Sequence, residues 1–204
     1  AEHTLGLMLA HLRYMAKAHA SLKQGLWMEE FEGPGPRELQ EVAVGIIGYG
    51  LIGKRVHELL TPFKSKINIY DPFINQAPLG ATLMGLETLM KESDVVTVHV
   101  PLNEKTRGLV GTREISLMKP GSIIVNTARA EIVDQDALRA AVASGQLSGA
   151  ALDVFDSEPL PASDPLIATP STTVTPHLAG TTRQAFVQGP IWIGERMAKI
   201  AGNN

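Results

Sequence analysis

The chain has 204 residues, 44% of them hydrophobic and 19% charged, with a net charge of −3. That balance fits a soluble globular protein with one large domain, and the lack of a basic excess excludes a binder that neutralises nucleic-acid phosphates. Having no cysteine, the chain cannot use a disulfide scaffold, a thiol nucleophile or a thiolate metal site. No apolar run reaches the roughly 18 residues of a membrane span, and no leader pattern is visible, so a cytoplasmic protein that does not engage membranes is expected.

Residues Glu2 to Leu26 contain no proline, and apolar residues recur at Leu5, Met8, Leu9, Leu12, Met15, Ala16, Leu22 and Leu26. The spacing predicts one long amphipathic helix outside the main sheet, followed by the breaker Gly33-Pro34-Gly35-Pro36. Strand-length apolar runs then alternate with helical stretches. Strands are expected at Val42–Ile47, Lys66–Tyr70, Val95–Val100, Ser122–Asn126, Gly149–Val154 and Thr172–Thr175, with a short one at Ala81–Met84. Helices are expected at Gly50–Pro62, Leu86–Lys91, Thr112–Met118 and Asp134–Ser144. Continuous apolar strands such as Ala43-Val44-Gly45-Ile46-Ile47 suit burial on both faces. The pattern therefore predicts an α/β fold with a doubly wound parallel sheet. The tail from Thr181 has helical spacing at Phe186, Ile191, Ile193, Met197 and Ile200, and Gly189-Pro190 is expected to break or kink it.

The first strand runs into Gly48-Tyr49-Gly50-Leu51-Ile52-Gly53, and a helix follows. A glycine pattern at that junction suits a dinucleotide. Gly48 permits the tight turn, Gly50 lets a pyrophosphate approach, and Gly53 lets the helix pack close to the strand. The helix start then presents free N–H groups to the phosphates. Asp71 follows the second strand, 18 residues past Gly53. A carboxylate there accepts from the ribose hydroxyls and repels a 2′-phosphate, which favours NAD over its phosphorylated form. Asp71 beside Pro72 also suits a turn.

Three chemistry-bearing residues follow later strands: Arg129, Glu158 and His177. In a parallel sheet all C-terminal strand ends face one side, so residues up to 48 positions apart are expected to gather near the nicotinamide. Arg129 offers a planar fork for a substrate carboxylate. His177 can exchange a proton with a carbonyl oxygen, and Glu158 can orient its imidazole. The expected reaction is reversible reduction of a 2-keto acid to a 2-hydroxy acid. Each residue alone also has an ordinary reading as a salt-bridge partner, a loop acid or a packing histidine.

These motifs resemble the D-isomer-specific 2-hydroxyacid dehydrogenase family. The likeness also includes Ala1-Glu2-His3-Thr4, Asp71-Pro72, His99-Val100-Pro101-Leu102, Asn126-Thr127-Ala128-Arg129 and Val133-Asp134. It continues through Ala151-Leu152-Asp153-Val154-Phe155, Glu158-Pro159 and Thr175-Pro176-His177-Leu178-Ala179-Gly180. The resemblance implies a Rossmann-type doubly wound sheet with a long N-terminal helix and a C-terminal helix. It makes Arg129, Glu158 and His177 catalytic, and adds Leu51, Ile52, Val100, Thr127, Ala128, Arg129, Asp153, His177 and Gly180 to the NAD contacts. Asp153 is then expected near the nicotinamide amide, with a loop-capping role as the other reading, and His99 is taken as structural. Trp192 is expected in the core rather than in the cleft. No metal site is expected.

Ala130-Glu131 stands where the family usually has two glycines, so Glu131 either competes with substrate for Arg129 or points away. Family members are usually longer, with a first α/β domain before the helix seen here. The expected organisation is a linking or dimerisation helix over residues 1–32, an NAD-binding domain over 33–180 and a C-terminal helix over 181–204 returning toward a substrate domain. Expected partners are a small 2-keto or 2-hydroxy acid and a second copy of the chain in a homodimer, with weak turnover by this chain alone. The alternative function is an NAD(H)-sensing, corepressor-like binding protein of the same family.

Overall fold

A computed structural model describes residues 1–27, 35–169 and 171–202. Gly33 and Pro34 of the breaker, and the boundary between residues 32 and 33, lie outside the described residues. The elements in chain order are helices α1 (Glu2–Leu12) and α2 (Met15–Lys23), strand β1 (Ala43–Ile47), α3 (Leu51–Leu60), β2 (Lys66–Tyr70) and β3 (Ala81–Leu83). Then come α4 (Leu86–Glu92), β4 (Val95–Val98), α5 (Thr112–Ser116), β5 (Ser122–Asn126) and α6 (Gln135–Ala143). The remainder is β6 (Leu147–Leu152), α7 (Pro165–Ala168), β7 (Thr172–Val174) and α8 (Arg183–Ala201).

All seven strands pair in parallel in the order β3-β2-β1-β4-β5-β6-β7. The order reverses between β1 and β4, and a crevice opens outside the strand ends at such a reversal. Period-2 alternation splits the core into two layers. Ile46, Val95, Ile123 and Val125 face α1 and α3, where Leu7, Met8, Val56 and Leu60 cover them. Ile47, Val96, Ile124 and Leu152 face the opposite layer, with Leu89, Met90, Ile115 and Leu138 from α4, α5 and α6. Burying each such side chain contributes roughly 1.5–3 kcal/mol.

Several boundaries differ from the sequence reading. The first helix is two, separated at Arg13 and Tyr14, with Tyr14 in the left-handed region at φ 54°. Its first part lies outside the sheet as expected and packs on it through Leu7, Met8 and Leu12. No residue of α2 is buried. The apolar period runs unbroken through Tyr14, but only α1 has a sheet to cover. The strands beginning at Val95 and Gly149 end earlier than expected, at Val98 and Leu152, and the latter starts at Leu147. In α8 the helix continues through Pro190. A proline leaves one carbonyl of the preceding turn without its N–H, and on a helix with no buried residue water can take that place. Trp192 lies on this helix and is 66% exposed, so it is not a core residue.

Candidate active site

The glycine loop joins β1 to α3 at the reversal of strand order. Gly48 has φ 93°, and a Cβ there would stand 2.6 Å from the His99 carbonyl oxygen and 2.7 Å from Val100 Cγ1. The loop after β4 therefore closes on the turn directly, and it puts Val100 beside it. A Cβ on Gly53 would overlap the Gly48 carbonyl oxygen, whereas Gly50 has open space around it. This is the division of roles expected of a turn, a close packing point and an approach point. Helix α3 starts at Gly50 with no side-chain cap and no acid in its first turn. Its leading N–H groups and positive dipole end suit an anion. Leu51 and Ile52 are exposed at that start.

Asp71 accepts a 2.7 Å hydrogen bond from the Tyr49 N–H through Oδ2, and one of 2.8 Å from the Phe73 N–H through Oδ1. The carboxylate thus makes the local turn and ties it to the glycine loop. Each oxygen keeps a further lone pair for ribose hydroxyls. The donors at α3, the open face of Gly50 and this acid fit a dinucleotide.

Arg129 stands past the end of β5. The Asn126 side chain accepts from the Ala128 N–H at 3.0 Å and donates to the Arg129 carbonyl at 2.9 Å, which fixes the loop. The exposed guanidinium donates to the Ala128 carbonyl at 2.6 Å through one nitrogen. Its other donors are not used in that bond. Glu131 turns toward Arg107, at 3.9 Å, so it points away rather than competing for Arg129.

His177 and Glu158 form a pair, with Nδ1 2.7 Å from Oε2. Glu158 also accepts from the Phe155 N–H at 3.0 Å. The His177 hydrogen bond first, and the Phe155 N–H second, hold the Glu158 carboxyl below its ordinary range. An ionised carboxylate only accepts, so Nδ1 carries the hydrogen and Nε2 is the atom left to exchange a proton. His177 has φ 53°, a region that costs a non-glycine residue about 1–3 kcal/mol. Its neighbours hold it there: the fully buried Asp153 accepts from the Leu178 N–H at 2.8 Å and the Ala179 N–H at 2.7 Å. Asp153 thus has the contacts of the loop-capping reading. His99, the other strand-end histidine, has Nε2 2.9 Å from Thr97 Oγ1. Burial, aided by the positive amino terminus, pushes its pKa down to about 3, which keeps it neutral.

A cavity of about 360 Å³ brings Ile52, Thr127, Arg129, His177 and Gly180 together, with Ala1, Ala179 and Thr181 completing its wall. Glu158 is outside that lining. It borders a second cavity of about 580 Å³ on another side of His177, walled mainly by apolar groups including Phe155, Leu160, Ile167 and Val174. Ala128 packs against the core behind the Arg129 loop. Three residues of this region escaped the sequence reading as individuals: His3, Thr4 and Thr175. They stand inside motifs that the resemblance includes, but their contacts reach across up to 172 positions, so no role could be read for them locally.

Comparison with known proteins shows the family. Residues 5–179 match the family described as D-isomer specific 2-hydroxyacid dehydrogenase, NAD binding domain. The chain is 40% identical to the hydroxypyruvate reductase of Thermotoga maritima, over 99% of this chain and 66% of that protein. It is 38% identical to the D-3-phosphoglycerate dehydrogenase of Archaeoglobus fulgidus, over 98% of this chain and 38% of that protein. The chain therefore spans between about a third and two thirds of these relatives' length. A crystal structure of D-lactate dehydrogenase from Aquifex aeolicus, complexed with NAD and lactic acid, superposes with a TM-score of 0.85 at 30% identity. That match covers 97% of this chain and 65% of the other. The chain belongs to the D-isomer specific 2-hydroxyacid dehydrogenase family and matches its NAD-binding domain.

Proposed function

We propose that the chain serves an NAD-dependent D-2-hydroxyacid dehydrogenase, in which a 2-keto acid is reversibly reduced to a 2-hydroxy acid. The observation that carries this reading is one cavity walled by both Arg129 and His177, with Glu158 bonded to the imidazole from outside.

Bound NAD supplies or takes up the hydride. Asp71 receives the adenine-side ribose, Gly48, Gly50 and Gly53 admit the pyrophosphate, and Leu51 and Ile52 lend their N–H groups. Val100, Thr127, Ala128, Asp153 and Gly180 border the remainder. Arg129 pairs with the substrate carboxylate through its free donors. His177 Nε2 gives its proton to the carbonyl oxygen in reduction and takes it back in oxidation. Glu158 holds the imidazole in one tautomer and stabilises its charged form. The carboxylate of Asp71 opposes a 2′-phosphate, which supports NAD as the cofactor.

Residues 1–32 are assigned to linking or dimerisation, 33–180 to the NAD-binding domain and 181–204 to a helix directed at a substrate domain. The unburied α2, which exposes Met15 and Leu22, supports a homodimer contact there. A cytoplasmic location is part of the proposal, and among the described residues no helix is long and apolar enough to cross a membrane.

The test is loss of NADH absorbance at 340 nm under single-turnover conditions, with protein in excess and a panel of small 2-keto acids. That regime makes slow chemistry visible. NADH loss matched by an equal amount of 2-hydroxy acid is expected. Saturable NADH binding with no reduction of any acid would overturn the proposal.

A further inference from the structure

The first turn of α1 grips both loops that carry the proposed chemistry. His3 Nε2 lies 2.9 Å from Thr175 Oγ1 and 3.3 Å from Asp153 Oδ1. Thr4 Oγ1 lies 2.8 Å from Thr127 Oγ1. Thr175 is two positions before His177, and Thr127 is two positions before Arg129. The Thr175 hydroxyl donates to Asp153 at 2.5 Å, so its oxygen is left to accept from the His3 N–H. Asp153 in turn holds the amides of Leu178 and Ala179 on the far side of His177.

These bonds are not needed to dock the helix. Leu7, Met8 and Leu12 already anchor α1 on the sheet by apolar burial. Nor do they cap it, since α1 has no side-chain cap at its start. They connect residues 123 and 172 positions apart, and Ala1, one step before this turn, lines the same cavity as Arg129 and His177. Hydrogen bonds that involve a buried carboxylate are among the stronger ones, and a network with all members paired is rigid.

We propose that His3 and Thr4 are positioning residues. From one rigid helical turn they fix the Arg129 loop and the His177 loop relative to each other, and so set how the cavity receives the nicotinamide end of the cofactor. The inference rests on the reading of that cavity as the hydride-transfer site. The adenine end, held by Asp71 and the glycine loop, is outside their influence.

The experiment is titration of this chain with NADH and, separately, with ADP, which carries the adenine end and lacks the nicotinamide. His3→Leu and the isosteric Thr4→Val are each expected to weaken NADH about tenfold, the size of one lost charge-assisted or buried hydrogen bond. ADP affinity stays at the level of the unmodified chain. His3→Gln, which keeps an N–H donor, and Thr4→Ser, which keeps the hydroxyl, restore NADH affinity. Thermal melts confirm that each variant is folded. Unchanged NADH affinity in folded His3→Leu and Thr4→Val overturns the proposal, and so does a parallel loss of NADH and ADP, which marks general loosening. If the unmodified chain binds NADH no more tightly than ADP, the cavity reading itself fails and takes the proposal with it.

Discussion

Gly53→Ala is expected to abolish NADH binding and to destabilise the chain by about 1–3 kcal/mol, the usual cost of overpacking a tight site. The new methyl would overlap the Gly48 carbonyl oxygen. That atom is backbone and has no rotamer by which to escape. Gly48 is itself confined by φ 93° and by the His99 carbonyl, and the next residue's N–H is bonded to Asp71. Relief therefore has to move α3 away from β1, which removes the helix start from the loop. Gly50→Ala is the control, because nothing lies within 4 Å of a Cβ at that position. It is expected to keep its melting temperature and lose NADH affinity, since its methyl faces the approach of the pyrophosphate. A calorimetric melt with an NADH titration checks both. A Gly53→Ala chain that melts and binds like the unmodified one would refute this account of the loop.

His177→Phe is expected to lower the rate of keto-acid reduction by about 10²–10⁴-fold, the range for loss of a general acid. The NADH affinity of the folded variant is expected to fall by much less than the rate, because His177 is one of several groups walling the cavity. Glu158→Gln has a smaller effect, because an amide can still meet the imidazole but brings no charge. The pair also sets a pH limit. The Glu158 carboxyl is held below its ordinary range, first by the His177 hydrogen bond and then by the Phe155 N–H. A lowered acid pKa means that the carboxylate's stabilising contribution is complete above the ordinary glutamate value. It is lost as pH falls through the lowered one. The acid limb of the rate profile should carry this loss and disappear in Glu158→Gln. Rates for His177→Phe within a few-fold of the unmodified protein would remove His177 from the chemistry.

What was legible in the sequence obeys local rules. β2 and β5 have the bounds expected of them, because Ile67 and Ile69 alternate with polar neighbours in the first and Ile123-Ile124-Val125 form a short apolar run in the second. The gathering of Arg129 and His177 was legible through topology: strands alternating with helices imply parallel pairing, and parallel pairing puts strand ends together. The pairing of Glu158 with His177 had a chemical rationale, yet its 2.7 Å contact needed the folded loops. The break at Tyr14 was not legible, since the apolar period continues across it while the sheet beneath ends. Gly45 gave no signal inside its strand. A Cβ there would stand 2.5 Å from Ser93 Oγ and 2.6 Å from Leu89 Cδ2, so it admits α4 close to the sheet. His11 is similar, because the residues around it, among them Gly149 and Thr173, come from distant strands. Burial pushes its pKa down to about 4, and its ring abuts Gly149. Contacts of this kind belong to the tertiary fold.

The central claim is that the glycine loop, Asp71 and the strand-end cavity form one site for a non-phosphorylated dinucleotide. Fluorescence titration of the unmodified chain with NADH and with NADPH tests it most directly. Saturable NADH binding at one site per chain is predicted, with NADPH weaker by about tenfold or more because the Asp71 carboxylate meets the 2′-phosphate. NADPH binding as tight as NADH, or no saturable NADH binding, would contradict it.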